Sequence, residues 1–344
     1  MQIQTIISCL ALLLITSPTF AEDKPKPAAE IVAEVVKAAD TLLATLDDKQ
    51  REQISYAFDD EAQQARWSNL PSHMAERGGL KIGELTRPQQ DAVYALIRAT
   101  LSERGFQEVF DHVHSDTDWL SKERERPNFG RDYFYIAIAG KPSTETPWRW
   151  QFGGHHLGAN ATIAGESITL SPTLTGGQPM HYQAGDRKVA LMADEVEAAH
   201  AMLAGLDDAQ RKTAVVSDRR SNLAFGPGAK DIMPKAEGIR GDALNDEQKQ
   251  LLVKLIEERV GILNDTHAAL AMQRIADTLD ETYFGWFGPT EKTEPAMWRV
   301  QGPAVIIEFC PQNLGGEPHN HIHAMYREPG NDYGKAIAEA IEGE

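Results

Sequence analysis

Two histidines near the C-terminus have the spacing of metal ligands on a β-strand. The stretch "EPHNHIHAMYREPGNDYG" covers residues 317–334, and within it His321 and His323 are separated by one residue. Side chains alternate between the two faces of a strand, so both imidazoles point the same way, together with Met325. Two imidazoles on one face can bind one ion, at about 2.0–2.1 Å from zinc. On this stretch alone, a surface strand with two hydrogen-bonded histidines is an equal alternative.

A second pair, His155 and His156, lies in the segment "GGHHLGANATI" at 153–163. If the strand includes the pair, alternation puts His156 on one face with Asn160 and Thr162, and puts His155 on the apolar face. This pattern favours His156 as the ligand, and it fails if the strand begins after the pair. With the second pair present, a metal site becomes the favoured interpretation of these histidines.

An acidic residue stands in an apolar strand, where it needs a partner. Glu308 lies among branched apolar residues in "AVIIEFC", residues 304–310. Burying a carboxylate costs free energy unless it meets a cation or hydrogen-bond donors. An antiparallel hairpin between 304–310 and 321–327 would bring Glu308 beside the strand histidines, so we expect a metal ligand or a general base. Cys310 is expected to be a buried thiol rather than a ligand.

Other histidines carry a weaker signal. His112 and His114 lie in "FDHVHSDTDWL", a segment expected to be helical, where residues two apart diverge. We therefore expect both on a solvated surface, and His200 likewise. The chain contains no P-loop, no Rossmann glycine pattern, no Gly-x-Ser-x-Gly and no His-Glu-x-x-His, so the motifs of several other chemistries are missing.

The sequence segments of the elements that must position these residues occur twice in the chain. The segment "AADTLLATLDDKQR" (38–51) matches "AAHAMLAGLDDAQR" (198–211) at nine of fourteen positions without a gap. Further matches are "LTRPQQDAVYALI" (85–97) with "LNDEQKQLLVKLI" (244–256), and "GKPSTETPWRWQFGG" (140–154) with "GPTEKTEPAMWRVQG" (288–302). Self-similarity of this kind indicates an internal duplication.

Each copy has the same order of elements. Apolar residues at helical spacing come first, then a loop, then a second helix with a capping signature at Thr86 or Asn245. Short strands close each copy. Strands clustered after helices predict an α+β fold dominated by antiparallel hairpins. We expect two tandem pseudo-symmetric repeats, residues 22–190 and 191–344, packed into one compact unit.

Composition and charge limit the partners. The formal net charge of the 344 residues is −17, which disfavours nucleic acid as a partner. The N-terminal segment "MQIQTIISCLALLLITSPTFA" ends in small residues at the positions that a signal peptidase reads, which predicts a signal peptide at 1–21 and a periplasmic or secreted protein. No later segment has the ~20 apolar residues of a membrane-spanning helix. Cleavage would leave Cys310 as the one cysteine, so no intramolecular disulfide is expected.

Four segments together resemble the family called domain of unknown function 3500: "WRWQFGGHHLGANATI", "GPAVIIEF", "NHIHAMYREP" and "NDYG". The His-His and His-Ile-His motifs are their most specific parts. The resemblance implies a site made of His155, His156, Asn160, Glu308, His321, His323, Arg327 and Asp332. The sequence departs from the family pattern at Cys310 and Pro311, and at Tyr333, where phenylalanine is commoner. The family name implies no activity.

These residues favour an exported, metal-dependent enzyme, with hydrolysis as the reaction. Three histidines and an acid would leave one coordination position for water, which zinc acidifies. Arg327 would bind an anionic group of a small-molecule or carbohydrate-like substrate, and the resemblance adds Asp332 to the catalytic residues. Copper, in a copper-binding or redox protein, is the alternative because it also suits histidine-rich sites. A non-catalytic binding module with structural histidines is the remaining alternative.

Overall fold

The computed structural model describes residues 25–117, 125, 127–229, 233–313 and 317–343. Within these residues the protein has a mixed α/β fold with ten α-helices and a large mixed sheet. The expected signal peptide at 1–21 lies outside the described residues. None of the described helices is long and apolar enough to cross a membrane.

The helices begin and end as follows: α1 Ala28–Ala44, α2 Asp48–Ile54, α3 Glu61–Gln64, α4 Arg87–Thr100, α5 Glu103–Ser115, α6 Ala193–Ala204, α7 Asp208–Ala214, α8 Asp246–Val260, α9 Asp265–Ala276 and α10 Lys335–Glu342. Reciprocal hydrogen bonds fix two of the starts. The Thr86 amide donates to Gln89 Oε1 at 2.9 Å before α4, and the Asn245 amide donates to Gln248 Oε1 at 3.0 Å before α8. The capping signatures predicted from the sequence are confirmed.

The strands are β1 Ser55–Tyr56, β2 Leu80–Lys81, β3 Tyr135–Ala139, β4 Trp148–Gly154, β5 Leu157–Ala164, β6 Ser167–Thr169, β7 Thr173–Gly177, β8 His181–Ala184, β9 Arg187–Ala190, β10 Val215–Ser217, β11 Ile239–Arg240, β12 Tyr283–Phe287, β13 Met297–Gln301, β14 Ile306–Pro311 and β15 Ile322–Arg327. Within the described residues, thirteen of them form one sheet, whose main path runs β1-β3-β4-β5-β7-β15-β14-β13-β12-β10. Strands β8 and β9 form a separate hairpin.

Most pairings in the sheet are antiparallel, as the clustered short strands predicted. The parallel pairs are β1 with β3 and β10 with β12. The predicted hairpin is present as β14 and β15, with Cys310 opposite His323 and Glu308 opposite Met325. Strand β15 also pairs with β7, where His323 lies opposite Gly176. This last pairing joins the strands of the N-terminal half to those of the C-terminal half.

The two faces of the sheet differ in chemistry. On β4, Trp148 and Trp150 belong to the main hydrophobic core, which also contains residues of α1, α4, α6 and α8. Because side chains alternate along a strand, Arg149 and Gln151 point to the opposite face. On β14 and β15, Glu308 and His323 lie on that second face as well, and all of these polar residues are buried. The helices therefore cover the apolar face, and buried polar side chains line the other.

Candidate metal centre

Three histidine side chains converge near one end of the neighbouring strands β5, β7 and β15. His156 Nε2 lies 3.0 Å from His321 Nε2, which lies 3.1 Å from His323 Nε2. Their ligand atoms all lie within 4.8 Å of one another. All three residues are buried, with exposed fractions of 2%, 6% and 5% in that order. Three ring nitrogens pointing at one place is an arrangement that can bind a divalent metal ion.

The backbone brings the three rings together in two different ways. His323 lies on β15 and His321 has an extended backbone just before it, so their side chains share a face as the alternation predicted. His156 lies in the turn between β4 and β5, with a positive φ of 62°. Strand β5 begins only at Leu157, so the alternation argument for His156 does not apply. The turn, rather than the strand, aims His156 at the other two rings.

A glycine on the neighbouring strand lets the strands approach at this point. A Cβ atom added to Gly176 would lie 2.6 Å from the Ile322 carbonyl oxygen and 3.1 Å from His323 Cδ2. Any larger residue would displace the His323 ring or its strand. Gly176 thus belongs to the support of the centre.

Burial keeps two of these imidazoles, those of His156 and His323, uncharged. It holds the pKa of His156 well below its ordinary value, and the neighbouring histidines lower it further. Burial likewise lowers the pKa of His323 to about 3, with help from His321 and His155. A neutral imidazole has one nitrogen with a free lone pair, which is the form that binds metals.

Asn69 contacts the ring of His323 on the side away from the other histidines' nitrogens, at Nδ1. Its amide nitrogen Nδ2 lies 3.3 Å from His323 Nδ1. Donation from that nitrogen would put the His323 proton on Nε2. A half-turn of the Asn69 amide would instead let its oxygen accept from Nδ1–H, which leaves the Nε2 lone pair free for a metal. The same asparagine can therefore hold His323 in either state.

A buried acid that the sequence analysis missed supports His155. Asp116 Oδ1 lies 2.6 Å from His155 Nδ1, and Asp116 Oδ2 accepts from the Gly130 amide at 2.7 Å. The His155 ring stacks on His156 with their centroids 3.6 Å apart. Asp116, His155 and His156 form a second group whose ligand atoms lie within 4.8 Å of one another. A carboxylate on Nδ1 orients a histidine and leaves lone-pair density on its Nε2.

His112 is not on a solvated surface, and that prediction is wrong. The residue is 1% exposed, and its Nδ1 donates to the Gly176 carbonyl oxygen at 2.6 Å. Helix α5 packs against β7 with the side that carries His112. The spacing of the two histidines in the sequence does not indicate which side of the helix is buried. His114 and His200 are half-buried, and His200 lies edge-on to Trp286 with the ring centroids 5.0 Å apart.

Glu308 contacts a cation and hydrogen-bond donors, as expected for a buried carboxylate, but the cation is an arginine and not a metal ion. Its Oε1 accepts from Arg299 Nε at 2.9 Å and Nη2 at 2.8 Å, and its Oε2 accepts from the Ala224 and Phe225 amides at 3.0 and 2.8 Å. The carboxylate is thereby saturated. Burial raises the pKa of Cys310 to about 11, so it is a protonated, buried thiol as expected.

The remaining expected site residues lie in internal networks. Arg327 donates from Nε to the Phe225 carbonyl oxygen at 2.9 Å and pairs with Asp332. Asp332 also accepts from Ser171 Oγ at 2.6 Å. Asn160 accepts from Gln151 and donates to the Pro172 carbonyl oxygen, each at 2.7 Å. The groups of histidines and acids with metal-binding geometry in the described residues contain neither Glu308 nor Asp332.

The comparison with protein families agrees with the resemblance. A family model described as "Protein of unknown function (DUF3500)" matches residues 28–335. The chain belongs to this family. Comparisons with curated proteins and with solved structures found no match. The family description assigns no activity.

Proposed function

We propose that the protein is a metal-dependent enzyme that holds one divalent ion, zinc first, on His156, His321 and His323. The observation that carries the proposal is the convergence of three buried Nε2 atoms spaced 3.0 and 3.1 Å apart. In the tautomer that carries its proton on Nδ1, a neutral imidazole offers its Nε2 lone pair to a cation, and Asn69 can hold His323 in that tautomer. The donor set therefore fits a metal ion.

Hydrolysis is the reaction class that we propose. Zinc bound by three nitrogen donors would keep one position open and supply the Lewis acidity that activates water. The chain's own contribution is positional. Asp116 holds His155 in the tautomer whose Nε2 lone pair can bind a metal or accept a proton, and the His155 side chain, 11% exposed, is the partly open member of the group. Glu308 stabilises the sheet through Arg299 in this proposal.

Copper is the second candidate, in a copper-binding or redox protein. The three converging donors are all imidazole nitrogens, with no carboxylate among them. Met325 follows His323 on the same face of β15 and is fully buried, and thioethers are soft ligands that suit copper. The third alternative is a non-catalytic module in which the histidines only hydrogen-bond to one another.

Elemental analysis of purified protein tests the metal. We expect about one ion per chain in the wild type and a loss of most of it in His156→Ala and His321→Ala. His319→Ala is the matched control, because His319 belongs to the same segment and is exposed. Circular dichroism establishes that the variants fold. Equal metal content in all four proteins, or none in any after metal loading, contradicts the proposal.

The chemistry is tested separately, once metal is bound. We expect the zinc-loaded wild type to cleave a chromogenic ester, such as 4-nitrophenyl acetate, faster than the metal-free protein and faster than zinc-loaded Asp116→Asn. A paramagnetic copper signal without any cleavage by the zinc form favours the copper-binding alternative instead.

We also propose that the chain consists of two pseudo-symmetric repeats, residues 22–190 and 191–344. The strand order supports this, since it runs β1, β3, β4, β5, β7 inward from one edge and β10, β12, β13, β14, β15 inward from the other. The hydrogen bonds of matching glutamines support it too. Gln89 Nε2 donates to Gln50 Oε1 at 2.8 Å, and Gln248 Nε2 donates to Gln210 Oε1 at 2.7 Å.

A further inference from the structure

Arg149 is a buried arginine with no ion-pair partner among the described residues. It is 1% exposed. Its guanidinium donates from Nη2 to the Phe58 carbonyl oxygen at 3.3 Å, and Nη1 has no hydrogen-bond partner among the described residues. Thr162 lies directly opposite on β5, and its fully buried hydroxyl has no partner in the same part of the chain. Two buried donors on paired strands thus have no acceptor among the described residues.

The other half of the sheet supplies that acceptor. Arg299 follows a tryptophan at the start of β13, as Arg149 does on β4. Glu308 lies directly opposite Arg299 on β14, as Thr162 lies opposite Arg149. The Glu308 carboxylate bonds to two nitrogens of Arg299. The two places therefore differ by one carboxylate.

Neighbouring groups compensate the Arg149 charge only in part. The rings of Phe58 and Tyr333 lie 5.4 Å from its guanidinium carbon, at cation–π distance. Asp60 attracts the charge from farther away, and its side chain caps α3 by accepting from the Gln63 amide. Burial still lowers the pKa of Arg149 to about 10. An arginine stays protonated under ordinary conditions, so the remaining cost falls on the folded protein.

We propose that the carboxylate of a small organic acid binds between Arg149 and Thr162, at the place that corresponds to the Glu308 carboxylate. The planar guanidinium fork matches a carboxylate, and the threonine hydroxyl adds a donor. Phe58 and Tyr333 are half-buried and cover the guanidinium, and Gly334 packs against the Thr162 side chain, so the ligand enters only when Phe58 and the turn that holds Tyr333 and Gly334 move. This site is separate from the histidines, and binding of a carboxylate there does not depend on whether they bind a metal.

Thermal unfolding with acetate as the probe tests the site. We expect the midpoint of the wild type to rise saturably, by about 2 °C or more, in sodium acetate relative to sodium chloride of equal ionic strength. Arg149→Met should remove the shift and Thr162→Val should reduce it. Arg87→Met is the control and should respond like the wild type, because the Arg87 side chain is 70% exposed and pairs with Asp91 at the surface.

A second variant supplies the missing carboxylate from the chain itself. Thr162→Glu should raise the unfolding midpoint in chloride and abolish the response to acetate. If it does not fold, Arg149→Met still decides the question. Equal midpoints of the wild type in both salts, or an acetate shift that persists in Arg149→Met, would overturn the site. A larger shift with phosphate that depends on Arg149 would overturn the assignment to a carboxylate.

Discussion

Two arginines at matching places of the sheet have opposite surroundings. Arg299 meets Glu308, whose carboxylate is saturated by the guanidinium and two backbone amides. Arg149 meets Thr162 and keeps a nitrogen without a partner among the described residues. Both residues are almost completely buried. Strands β13 and β14 therefore enclose a complete ion pair, whereas β4 and β5 enclose an arginine for which we propose a bound carboxylate.

The histidine centre, on strands between those of the two arginines, avoids an uncompensated buried charge in a third way. An arginine cannot lose its proton, whereas a buried histidine can. His156 and His323 have lowered pKa values and carry no charge at neutral pH. These two imidazoles thus stay uncharged without a counter-ion, and a neutral imidazole can offer one lone pair to a cation.

Removing the Glu308 charge is expected to have the largest effect. In Glu308→Gln the buried Arg299 guanidinium loses its counter-ion, and the free energy of unfolding should fall by about 3–5 kcal/mol. Urea denaturation measures the change. Glu281→Gln, at an exposed position, should change it by less than about 0.5 kcal/mol. Similar values for both variants would show that Arg299 does not need its partner, and the contrast with Arg149 would disappear.

Acid should destabilise the metal-free protein through the histidines. The pKa of His323 is about 3 in the folded chain and about 6.5 when unfolded, so the unfolded chain takes up the proton first. The stability from this residue is therefore present above pH 6.5 and is lost as the pH falls toward 3. Linkage gives a loss of roughly 2 kcal/mol from His323 between pH 7 and pH 5.

The measurement is urea denaturation at both pH values in the presence of a chelator. His323→Gln should lose roughly 2 kcal/mol less than the wild type on acidification, whereas His319→Gln, at an exposed position, should behave like the wild type. An unchanged acid dependence in His323→Gln would mean that this imidazole becomes charged within the fold and so has a counter-ion, unlike Arg149.

Helix caps far from the differing arginines should respond alike in the two halves. Thr86→Ala and Asn245→Ala each remove the capping side chain before a helix, α4 or α8, and each should cost about 1 kcal/mol. Thermal or urea unfolding compares them directly. If the two substitutions lower the free energy of unfolding by clearly different amounts, the two halves differ in their helices as well as in their buried polar residues. That result would count against the proposed repeats.

Local patterns predicted the parts of the fold that depend on neighbours in sequence. Capping residues placed the start of α4, and alternation placed His321 and His323 on one face of the hairpin. Alternation also put Glu308 on that face. The pattern does not specify which residue on the face a side chain contacts, and Glu308 contacts Arg299 of the neighbouring strand β13. Asp116 was missed because its contact with His155 joins the end of α5 to a turn, across 39 positions of the chain.

The smallest expected effect concerns the hydroxyl opposite Arg149. Thr162 is fully buried without a hydrogen-bond partner among the described residues, so Thr162→Val should change the free energy of unfolding by less than about 0.5 kcal/mol in the absence of a carboxylate. Thr100 is the matched control, since it is equally buried but accepts from Trp150 Nε1 and donates to the Leu96 carbonyl oxygen, each at 3.1 Å. Thr100→Val should therefore cost about 1–2 kcal/mol in urea denaturation. Equal costs at the two positions would mean that the Thr162 hydroxyl already has a partner, such as a buried water, and that the place opposite Arg149 is filled.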